Sequence, residues 1–163
     1  MAKGGARYGA GRPAHRVKAE HCRRIDARHW AKEKILQRSS AGAWGWTDAE
    51  TGERTASISY ASDTRALTLS FAVNGQAVRQ LVPIWQTACH YGGLRYWFGC
   101  PCCGQRVGIL YLRGRGFGCR RCSRIAYASQ SEDSLGRAWR KQLKIERRLG
   151  EGWARPKGMW SAT

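Results

Sequence analysis

The chain has 163 residues, one domain's worth, and carries 29 Lys and Arg against 11 Asp and Glu, a formal net charge of +18 with a pI near 10.5. That excess points to a polyanionic partner ahead of an anionic membrane surface, and 42% hydrophobic residues exclude whole-chain disorder. Apolar runs as short as Ile109-Leu110-Tyr111-Leu112 exclude a transmembrane helix, and the basic first residues lack the apolar run of a secretory signal, so the expectation is a cytoplasmic protein that uses no membrane. Seven cysteines in a reducing compartment favour metal-bound thiolates over disulfides.

The charge is uneven. Residues 1–36 carry +7, residues 37–99 only +1, residues 100–128 carry +6 with no acid, and residues 129–163 carry +4. A near-neutral structural body flanked by basic working surfaces is the reading this suggests.

In chain order, residues 1–14 are Gly-, Ala- and Arg-rich without periodicity and read as a flexible basic arm. Within it, Gly11-Arg12-Pro13 echoes the core of an AT-hook, but Ala10 stands where the flanking Arg belongs, which leaves Arg12 as a non-specific phosphate contact. Residues 15–36 are predicted as a basic helical segment in one or two pieces, anchored by Val17, Ile25, Trp30 and Leu36, with Asp26 as the cap of the second piece. From residue 43 the period becomes two: Ile58 and Tyr60, then Leu67, Leu69, Phe71 and Val73, then Val78, Val82 and Ile84, alternate with small or polar residues. Turn residues separate the runs at Thr51-Gly52, Ser62-Asp63 and Asn74-Gly75. The last pair is the hairpin signal that a type I′ turn requires. Residues 43–98 are therefore predicted as an antiparallel β-meander of about four strands plus a short aromatic strand at Tyr96-Trp97-Phe98, with Pro83 placing its strand, or the end of it, on an edge.

Residues 99–127 hold the strongest motif. Cys100-Pro101-Cys102-Cys103-Gly104 is followed, after a spacer of fifteen residues, by Cys119-Arg120-Arg121-Cys122. Two residues between cysteines make a tight knuckle that aims both sulfurs at one ion, and the pair of knuckles has the spacing of a four-cysteine zinc site. Gly104 gives the first knuckle its permissive φ, and the strand through Ile109 and Tyr111, the turn at Arg113-Gly114-Arg115-Gly116 and the return through Phe117 bring the second knuckle back. The expected ligands of a single structural Zn²⁺ are Cys100, Cys103, Cys119 and Cys122. Cys102 is one residue too close to Cys100 to close the same turn, Cys22 and Cys89 read as bystanders, and Cys89-His90 is a rival pair. Four thiolates fill the ion's coordination, which makes the site structural rather than catalytic. Arg106, Arg113, Arg115, Arg120, Arg121 and Arg124 exceed what is needed to balance the site's charge and are read as an anion-binding face.

Residues 129–149 are predicted as a basic amphipathic helix, opened by Ser129 with Glu132 as a capping box or by Ser131, and closed by Gly150. Leu135, Trp139 and Leu143 form its apolar stripe, and Arg137, Arg140, Lys141, Lys144, Arg147 and Arg148 the basic remainder. The tail, residues 150–163, shows no pattern but holds Trp153 and Trp160. The overall expectation is an α+β fold: a short helical N-terminal segment, the antiparallel β-meander, a four-cysteine zinc ribbon and a C-terminal basic helix.

The run from Gly92 through Tyr96-Trp97-Phe98-Gly99-Cys100-Pro101, then Leu110-Tyr111-Leu112, Phe117, Cys119, Cys122 and Tyr127-Ala128-Ser129-Gln130, resembles small zinc-ribbon proteins of bacterial and prophage genomes. The resemblance covers residues 92–149. It implies a ribbon followed by a helix and a phage or mobile-element setting, and it implies no activity. Ser123 departs from it, standing where many ribbons have glycine, which predicts a different exit from the second knuckle.

Three functions compete. A nucleic-acid-binding module leads, with DNA or RNA held by the arginine faces and the arm. Of the eight tryptophans, Trp44, Trp85, Trp97 and Trp139 are expected in the core and Trp153 and Trp160 as stacking candidates. The alternative is an adaptor or inhibitor docking on a nucleoprotein machine such as a polymerase or a defence complex. Catalysis has no support: His15, His21, His29 and His90 are scattered, Asp48, Glu50 and Glu53 sit in a turn, and no nucleophile has a partner set.

Overall fold

The computed structural model describes residues 16–48, 51–130 and 132–149. The arm with Arg12, the tail with Trp153 and Trp160, and the helix-boundary candidates Ser131 and Gly150 lie outside the described residues. The fold is α+β with mostly antiparallel sheets, in two compact units that divide after Ala126.

The first unit is built on a six-stranded sheet of sequential neighbours: β2 (Ser40–Thr47), β3 (Arg54–Ser62), β4 (Ala66–Val73), β5 (Gln76–Ala88), β6 (Leu94–Gly99) and β7 (Arg106–Val107). Each alternating apolar run became a strand because its buried parity faces one core: Ile58, Leu67, Leu69, Phe71 and Val82 are buried while Ser57, Ser59 and Ser70 are not. Asn74 and Gly75 take φ of 50° and 78°, both positive, as a type I′ turn demands. The 13-residue β5 changes partners midway, pairing with β4 up to Pro83 and with β6 from Ile84 onward. Pro83 therefore lies inside the sheet, not on a strand at its edge as expected; it sits at the switch point, where the ladder to β4 ends at Ala66.

The second sheet has three strands in the order β1 (Arg24–Asp26), β8 (Ile109–Arg113), β9 (Gly116–Gly118). β8 and β9 form a hairpin whose turn opens on Gly114, φ 62°, the residue a type II′ turn places first. Residues 15–36 are less helical than predicted. Their described part consists of a 3₁₀ turn at Ala19–His21, β1, and a six-residue helix α1 (Ala27–Lys32). Pairing with β8 outweighs local helical preference: Ile25 lies opposite Leu110, Ala27 N–H donates to Gly108 O at 2.9 Å, and Leu112 N–H to Arg23 O at 2.8 Å. Asp26 caps α1 as expected, its carboxylate accepting from Arg28 N–H at 2.9 Å.

Trp30 of α1 is fully buried, with ring centroids 5.3 Å from Trp44, 5.2 Å from Tyr60 and 6.1 Å from Phe98. Removing a side chain of this size from water contributes roughly 4–6 kcal/mol, from about 150–250 Å² at about 25 cal/mol per Å². Phe117 of β9 packs into the same core against Phe71 and Trp46, joining the small sheet to the large one. A second cluster, Ala19, Tyr111 and Ile125, lies beside the exit of the second knuckle, where Ala19 N–H donates to Ala126 O at 2.9 Å and Ala126 N–H to Val17 O at 3.1 Å.

The second unit contains a 3₁₀ turn at Ala128–Gln130 and α2 (Ser134–Leu149). The start is later than the predicted Ser129. Asp133 takes the capping role, its Oδ1 accepting from Gly136 N–H at 2.7 Å, while Glu132 pairs with Arg140 at 2.8 Å instead of closing a capping box. Leu135, Trp139 and Leu143 are exposed, and no residue of α2 is buried. Among the described residues no helix is long and apolar enough to cross a membrane.

Candidate metal centre and basic surface

Two turns bring the thiols together. The first follows β6: Cys100 N–H donates to Gln105 O at 2.9 Å and Gly104 N–H to Cys100 O at 2.8 Å, with Gly104 at φ 69°. The second follows β9: Ser123 N–H donates to Cys119 O at 2.9 Å and Ile125 N–H to Arg120 O at 3.0 Å. The left-handed residue of this second knuckle is Arg124, φ 50°, one place beyond Ser123. The departure from glycine at 123 is thus met by a different exit. Arg113 of β8 braces that exit, its guanidinium donating to the carbonyls of Ser123 and Arg124.

The sulfurs of Cys100, Cys103, Cys119 and Cys122 all lie within 4.8 Å of one another, and Cys103 and Cys119 Sγ are 3.9 Å apart. A tetrahedral ion with metal–sulfur bonds of about 2.3 Å sets its sulfurs about 3.8 Å apart, so this set can hold a metal ion with little movement. Cys100 and Cys119 are buried; Cys103 and Cys122 are exposed. The cluster leaves out Cys102, Cys22, Cys89 and His90, and it is the one such group among the described residues.

Backbone N–H groups already point at sulfur: Cys119 N–H to Cys100 Sγ at 3.2 Å and Cys122 N–H to Cys119 Sγ at 3.5 Å. Burial opposes ionisation of Cys100, but the N–H groups of Cys119, Cys102 and Cys103 outweigh it and bring its thiol down to about 7. Cys122 is pushed the other way by the neighbouring sulfurs of Cys103 and Cys119. A metal ion takes these sulfurs as thiolates, so ligation by thiols that are still protonated would release protons.

The arginines divide. Arg106, Arg120 and Arg121 line a recess of about 340 Å³ with Cys103 and Cys119. Arg121, Arg124 and Arg115 are exposed, while Arg120 is half-buried with Nη1 3.5 Å from Ile125 O. Arg113, expected at an anion-binding face, is exposed and donates through Nη1 to the second knuckle's carbonyls. On α2, Arg140 is paired with Glu132 and Arg137 Nη1 donates to Glu132 O at 2.9 Å, so both are committed to the helix start; Lys141, Lys144, Arg147 and Arg148 are exposed.

Two of the tryptophans expected in the core are exposed: Trp85 at 51% and Trp139 at 57%. Trp97 is half-buried, its ring faced by Arg95 at 4.1 Å and Arg106 at 5.2 Å. Sequence reading missed Arg95 and Gln80. Gln80 Nε2 donates to Phe117 O at 2.9 Å while Phe117 N–H donates to Gln80 Oε1 at 2.7 Å, tying β5 to β9 two residues before Cys119. The signal for Gln80 was its place on the buried parity of β5, between Val78 and Val82. No protein family, no curated protein and no solved structure matches this chain.

Proposed function

We propose that the chain is a non-catalytic zinc-ribbon protein that binds nucleic acid, with zinc held by Cys100, Cys103, Cys119 and Cys122 and phosphates met by the arginines beside the knuckles. The observation that carries this reading is the recess in which Arg106, Arg120 and Arg121 stand next to two of the thiols. Four soft donors at tetrahedral separations suit Zn²⁺, whose full coordination leaves no position for substrate. The role of the ion here is to fix both knuckles, so that arginines on them reach phosphate at low ordering cost. The site's own charge of about −2, two positive against four negative, favours retention of nearby cations and leaves the surrounding segment positive. The resemblance of residues 92–149 to prophage zinc ribbons supports a mobile-element setting.

The test is affinity against salt for wild type and for the double variant Arg106→Ala/Arg121→Ala, with DNA and RNA. Each arginine withdrawn from a phosphate flattens the slope of log K by about 0.9 on duplex or about 0.7 on single strands, so the double substitution flattens it by roughly 1.8 or 1.4. An equal effect from Arg54→Ala/Arg65→Ala would mean diffuse attraction to a +18 chain and overturn the assignment to the knuckles. A wild-type protein that binds neither polymer at physiological salt overturns the proposal in favour of a protein-docking adaptor.

A further inference from the structure

The six-stranded sheet has a face turned away from the core. The parity that buries Val82 turns Arg79, Leu81 and Trp85 outward, and register places Trp97 opposite Trp85, Arg95 opposite Thr87 and Arg106 opposite Gly99 on that same side. Leu81 is 60% and Trp85 51% exposed. No residue of the six strands is acidic. An apolar and aromatic surface set among arginines, on strands that carry no carboxylate, is complementary to a ligand that is both planar and anionic.

The tryptophans are held for it. A Cβ on Gly99 would meet Trp85 Nε1 at 2.8 Å and Pro83 Cβ at 3.0 Å, so the absence of a side chain at 99 lets the indole lie down against the sheet. Trp97 Nε1 donates to Thr87 Oγ1 at 2.9 Å, and the Arg95 and Arg106 guanidinium groups face its ring at 4.1 and 5.2 Å. Trp85 offers an exposed π-surface, and Trp97 serves as the seat for two planar cations.

We propose that this face is a platform for single-stranded nucleic acid, with Trp85 stacking on an unpaired base and Arg95 and Arg106 holding the adjacent phosphates. It deepens the nucleic-acid reading above and rests on it. Duplex bases stack on each other and show only their edges, so an exposed indole on a sheet finds its partner in an unpaired base. Arg106 also lines the recess beside the knuckles, which makes the platform and that recess continuous.

The test is anisotropy titration of the metal-loaded full chain with a labelled oligothymidine and with a duplex of the same length. Trp85→Leu keeps apolar bulk and removes the ring; Trp85→Phe keeps a ring; metal content of each variant reports that the fold survives. Stacking on one base is worth roughly 5- to 150-fold, so Trp85→Leu weakens single-strand binding by about tenfold, and Trp85→Phe restores most of it. Duplex affinity stays as in wild type, and Arg95→Gln flattens the single-strand salt slope by about 0.7. Trp85→Leu binding the single strand as wild type does, or weakening single strand and duplex equally, overturns the platform and leaves the knuckle reading standing. Wild type binding neither polymer overturns both.

Discussion

Gln80 is where the large sheet grips the strand that leads into the second knuckle. Its amide closes two hydrogen bonds on the backbone of Phe117, a residue 1% exposed, and Gly116 is needed beside it because a Cβ there would meet Gln80 Oε1 at 2.9 Å. Gln80→Leu keeps the volume and leaves one N–H and one C=O of β9 without partners. At about 1–3 kcal/mol for each buried group stranded, the pair predicts a loss of roughly 2–6 kcal/mol, a large part of the stability of a domain this size. Gln80→Glu separates the two bonds, because the carboxylate still accepts from Phe117 N–H but repels Phe117 O. Its ionised form is disfavoured in the fold, which raises its pKa above the unfolded value of about 4.3. The Glu variant is therefore closest to wild type in acid, where the protonated side chain donates again, and falls behind as pH rises through the raised pKa. Urea unfolding of wild type and both variants, compared at each pH with the same metal excess, measures this. A Gln80→Leu cost below about 1 kcal/mol, the net worth of one ordinary hydrogen bond, or a Gln80→Glu deficit that does not vary with pH, would refute the reasoning.

Three further outcomes follow from the same structure. Cys119→Ser abolishes metal binding, while Cys102→Ser and Cys89→Ser retain one equivalent, as read by metal analysis of the purified proteins; the reverse pattern dismisses the ligand set. Arg113→Ala frees the carbonyls of Ser123 and Arg124 and speeds metal transfer to a chelator several-fold without changing the metal-to-protein ratio. Asp63→Ala lowers the melting temperature by removing the acceptor for Ala66 and Arg65 N–H in the β3–β4 turn. Those N–H groups hold the Asp63 carboxyl below its usual range, so its contribution is present above the unfolded pKa of about 3.9 and fades as pH falls through the folded one. Thermal melts of wild type and variant keep their separation from neutral pH down to about 5 and converge below about 4.

The sheet and the thiol cluster were legible because each rests on local pattern: alternation over eight residues, Asn-Gly at a turn, two cysteine pairs at a fixed spacing. What escaped was set by partners far away in the chain. Arg24-Ile25-Asp26 has nothing of a strand in its own sequence and becomes one against β8, some 85 residues on. Trp85 was expected in the core, although the parity that buries Val82 and half-buries Ile84 already turned it outward. The helix start moved from Ser129 to Asp133 because several residues there are competent caps and sequence alone does not rank them. Arg113, Arg137 and Arg140 look like free cations in the bare sequence; only the fold shows the carbonyls and the carboxylate that occupy them.

The seam between β1 and β8 also fixes an order of events on the ribosome. The strands β2 to β6 pair with their immediate successors, so each hairpin can close as soon as its second arm emerges. β1 is made before any of them, yet the strand it pairs with begins at Ile109. Ile25 must therefore wait for its strand partner Leu110 until the whole large sheet, which ends at Val107, has been synthesised, and the chain must then close a loop whose entropic penalty grows only slowly with length. Formation of the seam thus comes late and together with the knuckles that flank the hairpin. A nascent chain stalled before residue 109 has already made every strand of the large sheet, while its N-terminal segment still waits for β8.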